Sequence, residues 1–300
     1  MNLYLAGQRL NEVLGELSLS KSRGEAAATL SAVVITAAAD DFFPGLTLAL
    51  GDGVTLADDS GTCFSGGVQE VRRTAETVAF TAYDRGIYLT RNELYGVFSG
   101  SAADIAAQVA ARLGIPLGTV DAPTGFHTIV TSSGDTAYDI LRRAVGEKRE
   151  IAMDGERLRI GGEATAPVAL AKERVLSVEC VGSIREMVNR AVVLERGTTT
   201  PLAQAQNGHD LNAYGQFQTA RALSGDSPQA QADAALKSAA CTARLTLQGD
   251  LALRCGRQVE FSAPEWGLEG RFSITGVEHR WKEGLFTTAL ALERELGGNL

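Results

Sequence analysis

The sequence predicts a mainly β chain that carries an inserted α+β module, and three observations lead there. Two glycine-punctuated stretches echo each other near opposite ends of the chain. Short alternating apolar–polar segments fill residues 1 to 84 and 243 to 292, and between about 90 and 165 the apolar spacing becomes that of helices.

The first echo runs Gly51-Asp52-Gly53-Val54-Thr55-Leu56, crosses a polar bridge, and resumes at Gly66-Gly67-Val68-Gln69-Glu70-Val71. The second runs Gly256-Arg257-Gln258-Val259-Glu260-Phe261, then Gly270-Arg271-Phe272-Ser273-Ile274-Thr275-Gly276-Val277. Alternation places apolar side chains on one face of a strand, and the bridges can turn the chain back. Each stretch therefore reads as one antiparallel β unit, built twice.

Taken in order, residues 1 to about 84 read as a β meander. Strands are predicted around Leu17-Ser18-Leu19, within Thr29 to Thr36, at Leu46 to Leu50, from Val54 to Ala57, from Val68 to Arg73 and from Thr77 to Tyr83. Turns are placed at Pro44-Gly45, Gly51-Asp52-Gly53 and Asp58-Asp59-Ser60-Gly61. Strands this short and this closely spaced suit a small barrel or a sandwich.

The pattern changes near Tyr88. Ser101-Ala102-Ala103-Asp104 is a capping box with Asp in the usual Glu position, followed by a stripe of Ile105, Val109 and Leu113, then Gly114 and Pro116. A second helix is predicted after Asp135, with Ala137, Ile140, Leu141, Ala144 and Val145 on one face. Residues 150 to 160 then form a hairpin, for which Asp154-Gly155 suggests a type I′ turn. Strands return at Val175 to Val181 and Val188 to Glu195. The polar run 197–226 reads as a long loop, and Ser227-Pro228 opens a helix expected to span 227–242. From Ala243 to Leu292 the chain is β, with a bulge expected at Gly276. The expected divisions are 1–88, 89–166 and 167–300.

Composition narrows the functional classes. The chain has 300 residues, enough for two or three modest domains. Its net charge of −8 and its lack of a basic run argue against a duplex-binding surface, which needs clustered Lys and Arg. The N-terminus lacks the basic start and apolar stretch of a secretory signal, and Ala26 to Ala39 is too short to cross a bilayer. No membrane anchor is expected. Cys63, Cys180, Cys241 and Cys255 show no metal-ligand spacing and read as idle thiols of a reducing cytosol.

Further motifs, in order, resemble one family: Tyr83-Asp84, Asn92-Glu93, Ser101 to Ile105, Leu113-Gly114-Ile115-Pro116, Tyr214-Gly215, Gly249 to Gly256, Gly267 to Ile274, Val277-Glu278-His279 and Thr287-Thr288. Together these resemble the baseplate hub proteins of contractile phage tails, prophage tails and tailocins, the late-control protein D relatives. The resemblance covers Gly45 to Leu292. It implies two tail-tube-like β-barrels per chain and a homotrimer whose six barrels match a sixfold tail tube above and a threefold spike below. The implied partners are the tail tube protein, the central spike protein and baseplate wedge or adaptor proteins, with the tape measure protein a further contact. The implied location is the baseplate of a virion or tailocin, after assembly in the bacterial cytoplasm. No cofactor, metal or catalytic residue is implied, and interface residues are not identified. An acidic lumen would repel DNA or a tape protein and so favour ejection.

The rival class is a tail-borne cell-wall hydrolase or protease. His127, His209 and His279 are far apart in sequence, and His279, between Glu278 and Arg280, reads as a solvated strand residue. A Cys–His enzyme needs a thiolate beside an orienting imidazole, and no local signal near Cys63 or Cys180 supplies one. Asp40-Asp41 and Asp58-Asp59 read as turn residues, and neither Gly66-Gly67 nor Gly161-Gly162 has the form of a phosphate loop. A carbohydrate-binding module would have few stacking platforms beyond Trp266 and Trp281.

Overall fold

The computed structural model describes residues 1–36, 46–59, 61–122, 124–146, 149–161, 166–223 and 227–296. The expected turn at Pro44-Gly45, the Asp40-Asp41 pair and Gly162 lie outside these residues.

The chain begins with β1 (Asn2–Leu5), β2 (Gln8–Arg9), β3 (Leu14–Ser22), β4 (Thr29–Ile35), β5 (Gly53–Asp58), β6 (Gly61–Arg73) and β7 (Thr77–Asp84). The middle holds α1 (Ile87–Arg91), β8 (Val97–Ser101), α2 (Ala102–Leu113), β9 (Leu117–Val120), β10 (Phe126–Val130), α3 (Ala137–Val145), β11 (Ile151–Asp154) and β12 (Arg157–Ile160). Then come β13 (Val168–Ala169), β14 (Val175–Ser183), β15 (Arg190–Leu194), β16 (Pro201–Gln206), α4 (Gly208–Tyr214), β17 (Gln218–Ala222) and α5 (Pro228–Ala235). The chain closes with β18 (Ala239–Gln248), β19 (Gln258–Ala263), β20 (Leu268–Lys282) and β21 (Leu285–Leu296).

The architecture is mainly β with an inserted α+β module, as expected. One sheet of 13 strands follows the path β14-β18-β21-β20-β3-β4-β7-β6-β5-β1-β2, with β19 and β13 branching from β20. It curls around two separate apolar cores. Alternate residues of β3, β4 and β7 (Leu17, Leu19, Leu30, Ala32, Val34, Val78, Phe80, Ala82) fill the first, and Leu245, Val259, Phe261, Phe272, Ile274 and Leu290 fill the second. Fully burying a Leu or Phe side chain contributes about 1.5–3 kcal/mol, so both cores are substantial.

Both echo stretches are antiparallel hairpins, β5–β6 and β19–β20. Gly66, which the sequence shows is no phosphate loop, lies in β6 with its Cα against the Tyr83 carbonyl; a Cβ there would stand 2.3 Å from that oxygen. The bulge expected at Gly276 is present, between Ile274 and Gly276 in the pairing of β20 with β21.

The middle module has its own core. Its two long helices begin at capping boxes, Ser101 with Asp104 and Thr136 with Asp139, each contributing about 1 kcal/mol to its helix. Gly114 closes α2 in the left-handed conformation, φ +63°. Ile105, Val109, Ile140 and Leu141 pack with Phe98, Ile129 and Leu158.

Four expectations need correction. Residues 46–50 form no strand: Asp52 takes the Ala49 N–H at 2.8 Å and Arg73 donates to the Leu48 carbonyl, so side chains replace the ladder. The hairpin loop at residue 155 is Gly155-Glu156, and only Gly155 has positive φ, whereas a type I′ turn requires it at both positions. The run 197–226 is not a long loop. It contributes β16, α4 and β17, and β15 pairs with both strands in a small sheet covered by α5. The helix expected over 227–242 stops at Ala235, and residues from Ala239 onward are strand β18, whose alternate residues Ala239, Cys241, Ala243 and Leu245 are buried.

Candidate functional site

The place where the two cores meet is built by one strand. Residues 268–273 of β20 pair with β19, whereas residues 276–282 pair with β3, so the same strand serves the second core and then the first. The bulge lies between the two uses. Before it the buried residues are Phe272 and Ile274, and after it they are Val277 and His279. A one-residue slip exchanges the two faces of a strand. That slip corrects the reading of His279 as solvated: it is 3% exposed, and its Nδ1 lies 3.0 Å from Thr288 Oγ1. Beyond it the β20–β21 hairpin delivers Trp281 and Phe286 to the first core. Polar pairs line the outer surface of the seam, with Arg280 bound to Glu16 and Ser18 to Glu278.

The middle module is knitted in by a buried ion pair. Lys21 of β3 lies 3.6 Å from Glu150, which stands directly before β11. Lys21 also donates to the Glu25 and Ile151 carbonyls. A cavity of about 90 Å³ adjoins this junction, lined by Cys63, Cys255, His279, Asp84, Lys21 and Arg254 among others. Burial pushes Asp84 up to about 6, against the opposing pull of the Ala28 and Gly86 N–H groups that it accepts. Burial lowers His279 to about 4 and, with the Glu150 carboxylate, raises the Cys255 thiol to about 12. Burial also raises Cys63. The cavity thus gathers neutral thiols and a neutral imidazole that is hydrogen-bonded to a threonine. An activated Cys–His pair requires the reverse, a thiolate stabilised beside an imidazolium.

The other candidate residues lie apart. His127 sits on β10 and His209 on α4. Asp58 ends β5 and Asp59 follows in the turn. Among the described residues, no cluster of three or more His, Cys, Asp or Glu could hold a metal ion, and no helix is long and apolar enough to cross a membrane. Trp266 is stacked on Phe261 with Lys172 over its ring, and Trp281 packs on the first core, so neither is a free platform.

The outer surfaces are of another kind. Strand β14 ends the sheet path, with β18 as its one ladder partner among the described residues, and it exposes Leu176 and Val181. On the middle module, β8 and β10 pair with Phe98 and Ile129 inward, leaving Tyr95, Val97, Phe126 and Val130 exposed. Phe126 is 76% exposed, and alternation on the two strands turns it outward with Val97 and Val130, while Tyr95, just before β8, is 88% exposed; local sequence did not single out this apolar surface.

Residues 17–293 match the YQBQ-like family. The chain belongs to the YQBQ-like family. A curated relative, phage-like element PBSX protein XkdQ of Bacillus subtilis (strain 168), is 27% identical over 296 residues, covering 91% of this chain and 90% of XkdQ. Among solved structures, the prophage MuSo2 43 kDa tail protein of Shewanella oneidensis superimposes with a TM-score of 0.72 at 13% identity, covering 97% of each chain. A tail protein of Neisseria meningitidis MC58 also reaches 0.72 at 13% identity, covering 98% of this chain and 95% of its own. The E. coli c3393 protein, a component of the type VI secretion system, reaches 0.61 at 9% identity, covering 98% of this chain and 77% of that one. The YQBQ-like chain thus has the fold of phage tail proteins.

Proposed function

We propose that the protein is the non-enzymatic hub of a contractile tail or tailocin baseplate, a homotrimer that joins the hexameric tail tube to the central trimeric spike. The observation that supports this reading is the paired construction: two cores in one chain, carrying the same hairpin and wrapped by one sheet. Three such chains present six similar units in threefold arrangement, the number a sixfold tube needs and the symmetry a spike needs. Sheet edges such as that of β14, which has one ladder partner among the described residues, suit pairing with other β chains. The exposed face of Tyr95, Val97, Phe126 and Val130 would meet wedge or adaptor proteins. The proposed divisions of labour are 1–88 and 167–300 for the tube-like units and 89–166 for the outer module. In a particle, the protein resides in the baseplate. Light scattering of the purified chain, alone and with its spike partner, tests the proposal. A trimer in either condition is the expected result, and a monomer that never joins a spike overturns it.

A further inference from the structure

Two of the four cysteines are neighbours. Cys180 Sγ on β14 lies 3.5 Å from Cys241 Sγ on β18. The ladder sets Cys180 opposite Ala243 and Gly182 opposite Cys241, so the thiols lie on one face and meet diagonally, offset by two residues along the ladder. The residue directly across from each thiol is small, Ala243 for Cys180 and Gly182 for Cys241. A disulfide bond is about 2.05 Å long, and β14, held by a single ladder among the described residues, is the strand that can move to close the gap. Cys180 is exposed and Cys241 is buried.

These two strands are also the neck of an excursion. The chain leaves along β14, builds β15, β16, α4, β17 and α5, and returns along β18. Val188 and Lys237 form one further bridge just beyond the thiols.

We propose that Cys180 and Cys241 form an oxidation site, a cross-strand disulfide that closes on exposure to a small-molecule disulfide and staples the neck of the 184–238 excursion. With oxidised glutathione, the Cys180 thiolate attacks one sulfur and expels a glutathione thiolate, leaving a mixed disulfide. Cys241 then yields its proton to water, attacks Cys180 Sγ and expels the second glutathione thiolate. Two protein thiols lose two electrons in total, and one glutathione disulfide becomes two glutathione thiols. Burial, and then the hydrogen bond with Cys180, push the Cys241 thiol up to about 11, so the closing step is slow at neutral pH and quickens as pH rises.

The test incubates the full chain with oxidised glutathione, counts thiols after denaturation and maps peptides by mass spectrometry. The expected product has lost two of its four thiols and the mass of two hydrogens, with Cys180 and Cys241 peptides joined. Cys180→Ser abolishes the link and Cys63→Ser leaves it intact. Protease cleavage within 184–238 leaves the two halves of the oxidised chain joined on a non-reducing gel. Four surviving thiols, a glutathione adduct on Cys180 that never resolves, or a link between any other pair would each overturn the assignment.

Discussion

Gly51 and Gly256 turn the same corner in the two halves of the chain. Their φ angles are +89° and +85°. Gly51 donates its N–H to the Val68 carbonyl at 2.8 Å, and Gly256 donates to the Ile274 carbonyl at 2.9 Å. Val68 and Ile274 donate back to Asp52 and Arg257, both at 2.9 Å, and each of the two residues directly precedes a bulge. Alanine in the left-handed region costs about 1–2 kcal/mol. At Gly51 a Cβ would enter open space, whereas at Gly256 it would stand 3.1 Å from Glu150 Cγ. Gly256→Ala is therefore expected to lower the urea midpoint more than Gly51→Ala. Equal losses would contradict the crowding at Glu150.

Asp84 and His279 oppose each other in pH dependence. Asp84, raised from its usual 3.8 to about 6, contributes stability that is complete below 3.8 and lost as pH rises through 6. His279, lowered from 6.5 to about 4, contributes stability that is present above 6.5 and lost as pH falls through 4. Each is worth on the order of 3 kcal/mol. Between pH 4 and 6 their slopes offset each other. Asp84→Asn should leave a protein whose stability drops on acidification through that range, and His279→Gln one whose stability rises. Urea titrations at several pH values read both slopes, and parallel profiles for the two variants would refute the pairing.

Breaking the Lys21–Glu150 pair should be costly from either side. The side chains are 10% and 3% exposed, so removing one partner leaves a buried charge, at about 3–5 kcal/mol. Lys21→Met and Glu150→Leu should each destabilise strongly, and the double variant by less than their sum. A double-mutant cycle on chemical denaturation measures that difference, and strict additivity would show that the pair is not coupled.

Gly86 is a packing requirement rather than a dihedral one. A Cβ there would lie 2.2 Å from the Ala26 carbonyl oxygen and 2.8 Å from Asp84 Oδ1. Gly86→Ala is expected to cost about 1–3 kcal/mol and to displace Asp84 from its two backbone donors. Thermal unfolding reads the first effect. An unchanged Tm would count against this close approach.

Asn189 holds a return of the chain that its sequence does not advertise. It is fully buried, donates to the Gly215 carbonyl at 2.7 Å and accepts from Phe217 N–H at 2.8 Å. Asn189→Ala orphans both groups and should cost about 2–4 kcal/mol. Faster hydrogen exchange across β15 and β17 would localise the damage, and unaltered exchange there would refute it.

Legibility followed how local each signal was. The capping box at Ser101, the apolar face of the helix after Asp135 and the alternation of β4 and β7 lie within one element, and the chain adopts them as read. The β15–β16–β17 sheet was not legible, because Gln218-Thr219-Ala220-Arg221-Ala222 carries no alternation and is strand only through its pairing with β15. His279 was misread for a related reason. Glu278 and Arg280 on either side suggest solvent, while the bulge before them decides which face looks inward. The proximity of Cys180 and Cys241 depends on strand register, which spacing along the chain does not contain.

The use of β20 by both cores sets an order of events during synthesis. Ser18 on β3 and Glu278 on β20 are 260 residues apart, yet they touch. While the ribosome is still making the middle module, β3 keeps one unpaired edge, and Trp281 and Phe286 are not yet available to close the first core. Such long-range pairings are slow and come late in folding. A nascent or truncated chain therefore lacks the finished seam, and only a chain translated through the β20–β21 hairpin can complete both halves together.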